Sequence, residues 1–445
     1  MSKGTKTMSN GTNTASKSRV RTQNKLLVST GPGTAMGDLF RRYWLPALMS
    51  EELAEPDGEP VRVQLLSERL LAFRDTAGAL GLIGEACAHR GASLWYGRNE
   101  EGGIRCPYHG WKYDVTGQCL EIPSDPGEAS YSRKIKLTSY PLVERGGVLW
   151  TYMGPPQLQP PLPEFEFALV EPEQRYLSKR LQECNYLQAM EGGIDSSHVG
   201  FLHSGSVETD PLSKSALDGN RYTLTDHQVK FEVVESPGGL YIGARRKADH
   251  GNFYWRVTQW VMPCFTNIPP RGENPTRGHF WVPIDDEHCW AWNYDYHPLR
   301  ALTEPELEAM KDGAGVHTEL IPGTYIPVRN QRNNYMMDRK AQKARITYSG
   351  IIGVANQDCA MQESIGPIAD HTIEHLVPTD RGVVMARQSL LKAAEVVKHG
   401  GQPPGVDPAT HRVRSVAMVL PPEVSFQDAM KDGMLAREGV PLVTV

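Results

Sequence analysis

The sequence has no apolar run approaching the ~20 residues that a membrane-spanning helix needs, and its first residues lack the apolar core of a secretory signal. Both absences lead to the expectation of a cytoplasmic protein with no membrane partner. Neither sign of charge dominates. Lys and Arg number 47 against 52 Asp and Glu, a net charge of −5, with no basic run and no basic stripe interleaved with aromatics, so nucleic acid is not an expected partner. Cysteine is scarce: seven in 445 residues, an odd number without the spacing of a disulfide framework, fits a reducing compartment. No Gly-x-Gly-x-x-Gly follows a predicted strand, so a nicotinamide site is not expected in this chain.

What is present is a concentrated set of metal-capable residues. Cys87-Ala88-His89 is followed by Cys106-Pro107-Tyr108-His109-Gly110-Trp111. Two turns that each offer one thiolate and one imidazole suit a [2Fe–2S] cluster of Rieske type, in which two His replace two Cys on one iron. The competing reading is a structural zinc, since two Cys and two His also close a tetrahedral shell. Zinc, however, usually draws its ligands as a Cys pair and a His pair. Gly84, Gly91 and Gly110 allow tight backbone around the sulfides, Pro107 stiffens the second turn, and Trp111 is placed to shield a cluster. The other five cysteines, Cys119, Cys184, Cys264, Cys289 and Cys359, read as buried small apolar residues.

Along the chain, residues 1–25 are polar and read as a disordered tail. Residues 26–154 read as a small antiparallel β domain with a helical lead-in over Met36–Trp44, ended by Pro46. Its short strands are predicted at Val61–Leu66, Leu70–Arg74, Leu80–Gly84, Ile104–Cys106, Trp111–Asp114 and Leu149–Met153. A Pro-rich linker is expected over 155–182 and a second domain over 183–445. That domain opens with a helical period running into Asp195, His198 and His203. His198 and His203 are five apart, so they reach one metal only if the helix breaks near Gly200 and the chain turns back. A mononuclear non-haem iron wants two His, one carboxylate and open positions. Asp358, in a polar island at the start of a later helical segment, is the candidate third ligand; Glu363, five positions on, faces elsewhere. Between lie predicted strands at Tyr222–Glu232, Leu240–Ala244, Phe253–Met262, Gly278–Val282 and Cys289–Tyr296, and Ser389–Lys398 reads as a closing helix.

With these motifs in view the chain resembles the oxygenase (α) subunit of the Rieske non-haem iron aromatic-ring oxygenases, within the phthalate 4,5-dioxygenase group. The resemblance rests on the two Cys–His turns, on Glu191-Gly-Gly-Ile-Asp195-Ser-Ser-His198 with His203, and on Gln357-Asp358 running to Asp370. One departure is His371, where the family pattern has Arg. The resemblance implies an α+β fold: a small antiparallel β Rieske domain followed by a helix-grip (START-like) antiparallel sheet. It implies Cys87, His89, Cys106 and His109 on the cluster, and His198, His203 and Asp358 on mononuclear Fe(II). Asp195 is then a bridge between a cluster His and an iron His across a subunit boundary, which implies a homotrimer or stacked hexamer. O2 is the co-substrate. Electrons come from NADH through a separate flavin and iron–sulfur reductase, with or without a ferredoxin.

The implied reaction is cis-dihydroxylation of a phthalate-like aromatic carboxylate. Oxidative O-demethylation of a methoxylated aromatic acid is the second expectation, and a Rieske electron carrier with a ligand-binding domain and no catalytic iron is the reading from another class. A carboxylate asks for an Arg fork. Arg245, Arg246 and Arg256 are the candidates, the first two pointing to opposite faces of a strand. Phe201, Trp260, Met262 and Phe265 are candidate apolar walls.

Overall fold

Short strands parted by Gly and Asp turns bury a core only by pairing, and in the first domain they do so in three antiparallel sheets. The computed structural model describes residues 10–125, 131–213 and 216–445. Trp44–Met49 pairs with Val148–Tyr152, and that strand with Leu142–Arg145. Val61–Leu65, Glu68–Arg74, Leu80–Gly84 and Ser139–Tyr140 form a second sheet. Arg98–Glu100, Gly103–Arg105, Lys112–Tyr113 and Cys119–Glu121 form the third, from which the cluster turns project. The expected helix over Met36–Trp44 is shorter, Ala35–Phe40, and Pro46 lies inside a strand rather than ending a helix. That strand is at the sheet edge, where a missing N–H is tolerated.

The second domain is an eight-stranded antiparallel sheet. Its strands are β1 (Arg175–Gln182), β2 (Lys230–Glu235), β3 (Gly239–Lys247), β4 (Phe253–Val261), β5 (Phe265–Ile268), β6 (Thr276–Pro283), β7 (Cys289–Tyr296) and β8 (Val416–Leu420). The order is β1-β7-β6-β5-β4-β3-β2, with β8 added along β4. Three helices pack on it or near its inner face: α1 (Tyr186–Ile194), α2 (Val354–Ser364) and α3 (Arg381–Lys398). In α3 the buried residues Ala386, Leu390, Ala393 and Ala394 recur at helical spacing and form its core stripe. The glycine pair at the end of α1 allows close approach. A Cβ on Gly192 would stand 2.1 Å from Nε2 of Gln362 on α2, and one on Gly193 3.1 Å from Nε1 of Trp281 on β6.

Several boundaries differ from the sequence reading. Asn10–Val28 is helical where a tail without order was expected through residue 25; residues 1–9 of that tail lie outside the described residues. Leu27 and Val28 at the helix end are buried, and the Leu27 carbonyl accepts from Tyr186 Oη at 2.8 Å. The expected linker 155–182 is not a spacer. Phe165 and Phe167 stack on Phe265 and Tyr294 in the core, and Arg175–Gln182 is a full sheet strand. The predicted strand Tyr222–Glu232 divides into a helix, Leu217–Thr225, and β2, because the Asp226 carboxylate accepts from the Gln228 N–H and turns the chain. Among the described residues no helix is long and apolar enough to cross a membrane.

Candidate active site

The two cluster turns are built alike. Gly91 N–H donates to the Cys87 carbonyl and Gly110 N–H to the Cys106 carbonyl, both at 2.9 Å. Each Cys N–H closes its loop from below, Cys87 onto Ala92 O and Cys106 onto Trp111 O, both at 2.8 Å. Gly91 and Gly110 have φ of 74° and 77°, a conformation that a side chain disfavours. The thiols of Cys87 and Cys106 are buried and the rings of His89 and His109 exposed, their centroids 4.4 Å apart. Trp111 stacks on His89 at 4.7 Å with an interplanar angle of 7°, and the Tyr113 hydroxyl lies 3.3 Å from Cys87 Sγ. A single tetrahedral zinc needs four donor atoms on the order of 3.5 Å from one another. Among the described residues these four are not a group whose donor atoms all fall within 4.8 Å. Two buried sulfurs and two outward rings spread over a wider span fit a two-iron cluster instead.

The second site is assembled from distant segments. α1 ends at Ile194, Asp195 caps it in extended conformation, and a short turn at His198–Gly200 sends the chain back. Gly200 is pressed against the Thr223 carbonyl, 2.9 Å from where a Cβ would stand. His203 returns beside His198, so that their Nε2 atoms are 3.1 Å apart. Asp358, one turn into α2, brings Oδ1 to 3.2 Å from His203 Nε2 and 3.5 Å from His198 Nε2. Three donors at such spacing form one triangular face of an octahedron, whose edge is about 3 Å for iron–ligand bonds near 2.1 Å.

The far side of each ring is tied. His198 Nδ1 lies 3.1 Å from Asp195 Oδ2, and His203 Nδ1 2.8 Å from Gln357 Oε1. Both Nδ1 atoms therefore donate, leaving both Nε2 lone pairs for a metal. Gln357 is itself fixed, its amide donating to Ser206 Oγ at 2.8 Å and to the Ile351 carbonyl at 2.9 Å. The other Asp195 oxygen accepts from Ser197 N at 2.7 Å and Ser197 Oγ at 2.6 Å. Burial alone would raise the Asp195 carboxyl, but the His198 and Ser197 hydrogen bonds hold it down to about 2.

Inside the sheet the triad faces a cavity of about 90 Å³. Its sheet wall consists of Arg256 and Thr258 of β4, Ile268 of β5, and Arg277, His279 and Trp281 of β6, with Arg271 from the loop between β5 and β6. Arg256 is buried, and its Nε and Nη1 have no hydrogen-bonding partner. Arg246 lies just behind, donating to the Ser196 carbonyl at 2.6 Å, with Nε and Nη1 likewise unpartnered. Burial, then the nearby Arg256, pulls Arg246 down to about 10. Burial and the surrounding Arg256, Arg277 and Arg246 push Arg271 well below the guanidinium range. Arg277 is neutralised by Asp295 at 3.2 Å. A pocket that crowds cations and leaves guanidinium donors free is built for an anion.

Other expected lining residues stand elsewhere. Arg245 points to the opposite sheet face and covers Phe253, 4.2 Å from its ring, because adjacent strand residues alternate. Trp260 is core, donating to Met190 Sδ at 3.2 Å, and Phe265 and Met262 line a separate small apolar pocket beside Phe165. Phe201 is exposed, stacked on His227, in a groove of about 1180 Å³ outside the triad. Sequence reasoning missed Arg271, Arg277, His279 and Trp281. The signal was the alternation Arg277, His279, Trp281 along one strand.

Asp195, His198 and Asp358 line both cavity and groove, so they form the wall between them. Exposed Tyr348, Ile365, Ile373 and Leu376 make the groove apolar. At its side Arg387 of α3 forks onto Glu191, with contacts of 2.6 and 2.7 Å, and onto Glu374, with contacts of 2.7 and 2.9 Å. His371, the departure noted in the sequence, is buried 3.7 Å from Glu374, and burial, then Arg387, lowers it to about 4. The cation there is Arg387.

Comparison with known proteins finds relatives over most of the chain. The family model for the Rieske [2Fe-2S] domain matches residues 43–141, and the model described as "LigXa C-terminal domain like" matches 151–430. The 3-chlorobenzoate-3,4-dioxygenase oxygenase subunit of Comamonas testosteroni is 36% identical over 428 residues, 91% of this chain and 96% of the relative. The phthalate 4,5-dioxygenase oxygenase subunit of Pseudomonas putida is 35% identical over 422 residues, 91% and 93%. The 5,5'-dehydrodivanillate O-demethylase oxygenase subunit of Sphingobium sp. (strain NBRC 103272 / SYK-6) is 29% identical over 425 residues, 94% and 89%. Among solved structures, dicamba monooxygenase bound to dicamba shares the fold with a TM-score of 0.56 at 19% identity, over 81% of this chain and 98% of that one.

Proposed function

Because this chain belongs to the Rieske non-haem iron oxygenases, as an oxygenase subunit, we propose that it uses O2 to cis-dihydroxylate an aromatic carboxylate. The observation that carries the substrate class is the cavity itself, where Arg256 and Arg271 stand beside the His198–His203–Asp358 face with guanidinium donors of Arg256 unpartnered. Relatives named for chlorobenzoate and phthalate support it.

Cys87, His89, Cys106 and His109 would hold the [2Fe–2S] cluster, and His198, His203 and Asp358 the iron. When bound, the cluster supplies single electrons and the iron(II) the open positions at which dioxygen is activated. The chain's own residues do the rest. Arg256 and Arg271 fix the acid. Gln357 and Asp195 hold the two imidazoles in the tautomer that leaves Nε2 bare. Asp195 also borders the outer groove, while His89 and His109 are exposed on the first domain. A second copy presenting its cluster turns to this groove would let Asp195 accept from a His on each side, which makes a ring of three subunits, or two such rings stacked, the expected assembly. NADH-derived electrons then arrive through a separate flavin and iron–sulfur reductase, with or without a ferredoxin between. A ferredoxin complex exists for the carbazole 1,9a-dioxygenase oxygenase, which shares the fold with a TM-score of 0.55.

Removal of a methyl group from a methoxylated aromatic acid is the second reading, favoured by the O-demethylase relative. Single turnover tests both: the chemically reduced protein is mixed with O2 and phthalates, benzoates or methoxybenzoates. A product gaining two oxygens and two hydrogens is expected, formaldehyde with a phenol would move the chain to the demethylases, and no product with only two irons per chain would leave an electron carrier.

A further inference from the structure

The sheet wall that carries the arginines also holds one group of different character. Asn293 on β7 accepts at Oδ1 from Arg180 Nη1 at 2.9 Å, and its Nδ2 faces the Ala291 carbonyl at 3.3 Å and Ser178 Oγ at 3.2 Å. Arg180 can only donate and a carbonyl can only accept, so the amide has one orientation. His279 Nδ1 lies 2.9 Å from that same Oδ1 and must carry its hydrogen. Nε2 is then a bare acceptor on a ring that lines the cavity, and among the described residues nothing donates to it. The ring stays neutral: burial first, then Arg180, pushes it down to about 3.

Around it the unpartnered groups are Arg256 Nε and Nη1, Trp281 Nε1 and, opposite His279 on β5, the Thr266 hydroxyl, each of which can donate. An acid offering nothing but acceptors would leave Nε2 facing a lone pair. Resting on the reading that the cavity takes an aromatic acid, we propose that His279 is its specificity residue, selecting an acid whose ring also bears a hydroxyl, which donates to Nε2. His279 lines the same cavity as Arg256 and Arg271, so an acid held by those two arginines presents its ring to the imidazole. Chlorobenzoate and phthalate, the acids named for two of the relatives above, carry no hydroxyl, whereas dehydrodivanillate does, so the preference would set this chain apart from the first two.

The test is calorimetry on the iron-loaded holoenzyme, anaerobic and with the cluster oxidised, using three matched pairs: 3-hydroxy- and 3-fluorobenzoate, 4-hydroxy- and 4-fluorobenzoate, 4-hydroxy- and 4-fluorophthalate. In at least one pair the hydroxy acid is expected to bind about tenfold more tightly, the size of one hydrogen bond. In His279→Leu that ratio falls to about one, while the fluoro acid's Kd moves less than about threefold. In His279→Gln, which keeps an acceptor oxygen, the preference persists. Equal binding within all three wild-type pairs overturns the proposal without needing any variant to fold, and so does a ratio that survives His279→Leu. If none of the six acids binds, or if Arg256→Gln leaves every Kd unchanged, the acid reading itself fails and this proposal falls with it.

Discussion

In the cluster turns the backbone does the positioning. Four main-chain hydrogen bonds and two glycines at positive φ set Cys87, His89, Cys106 and His109 within loops of five residues each. At the iron face side chains do it: His198, His203 and Asp358 come from a broken helix end and from a helix some 150 residues later, and Asp195 and Gln357 orient the rings. A site of the first kind is a local property of sequence and survives changes elsewhere in the fold. One of the second kind depends on how α1, α2 and the sheet pack.

That contrast breaks most sharply at Asp358. Asp358→Ala removes one of three donors, so iron content should fall by one per chain and turnover vanish, while the cluster's visible absorption stays as in the wild type. Loss of both centres would mean that the two sites do not fold independently. Asp195→Asn is next in size. It keeps an oxygen for Ser197 but turns an amide toward the His198 N–H, and turnover should drop about 100-fold with both metals retained by elemental analysis. Normal turnover would sink the bridging role.

The same contrast explains what was legible in the sequence. The cluster loops could be read because ligand spacing, Gly and Pro all lie within a few residues. His198 and His203 could be read as a pair needing a break near Gly200, since the glycine itself marks where the chain can turn. Of the sheet wall of the cavity only Arg256 was legible. Arg277, His279 and Trp281 face the cavity because β6 pairs with β5 as Thr266 opposite His279 and with β7 as His279 opposite Asn293, and register is a long-range fact. Arg245 and Arg246 differ only by strand phase, and aromatic character did not say which apolar volume Trp260 or Phe265 would fill. The Pro-rich stretch read as a spacer because composition does not reveal that Phe165 and Phe167 dock on β5 and β7.

A backbone change should touch the cluster alone. Gly110→Ala places a Cβ at φ 77° and 2.8 Å from Pro123 Cγ, a strain of about 1–2 kcal/mol. Part of the cluster absorption should be lost on mild heating, with the mononuclear iron unaffected. Equal loss of both would show that the loops are coupled through the fold.

The smallest effect separates orientation from ligation. Gln357 touches no metal position; it accepts the His203 Nδ1 hydrogen and donates to Ser206 and Ile351. Gln357→Leu removes that acceptor and frees the ring to rotate or change tautomer, so iron(II) affinity should weaken about tenfold, read by competition with a chelator. Gln357→Glu keeps the acceptor and loses the two donated bonds. If orienting His203 is what matters, Glu should hold iron nearly as well as the wild type while Leu does not. Equal weakening in both would assign the effect to packing around α2, and the iron face would then owe its geometry to the helix rather than to the hydrogen bond behind the ring.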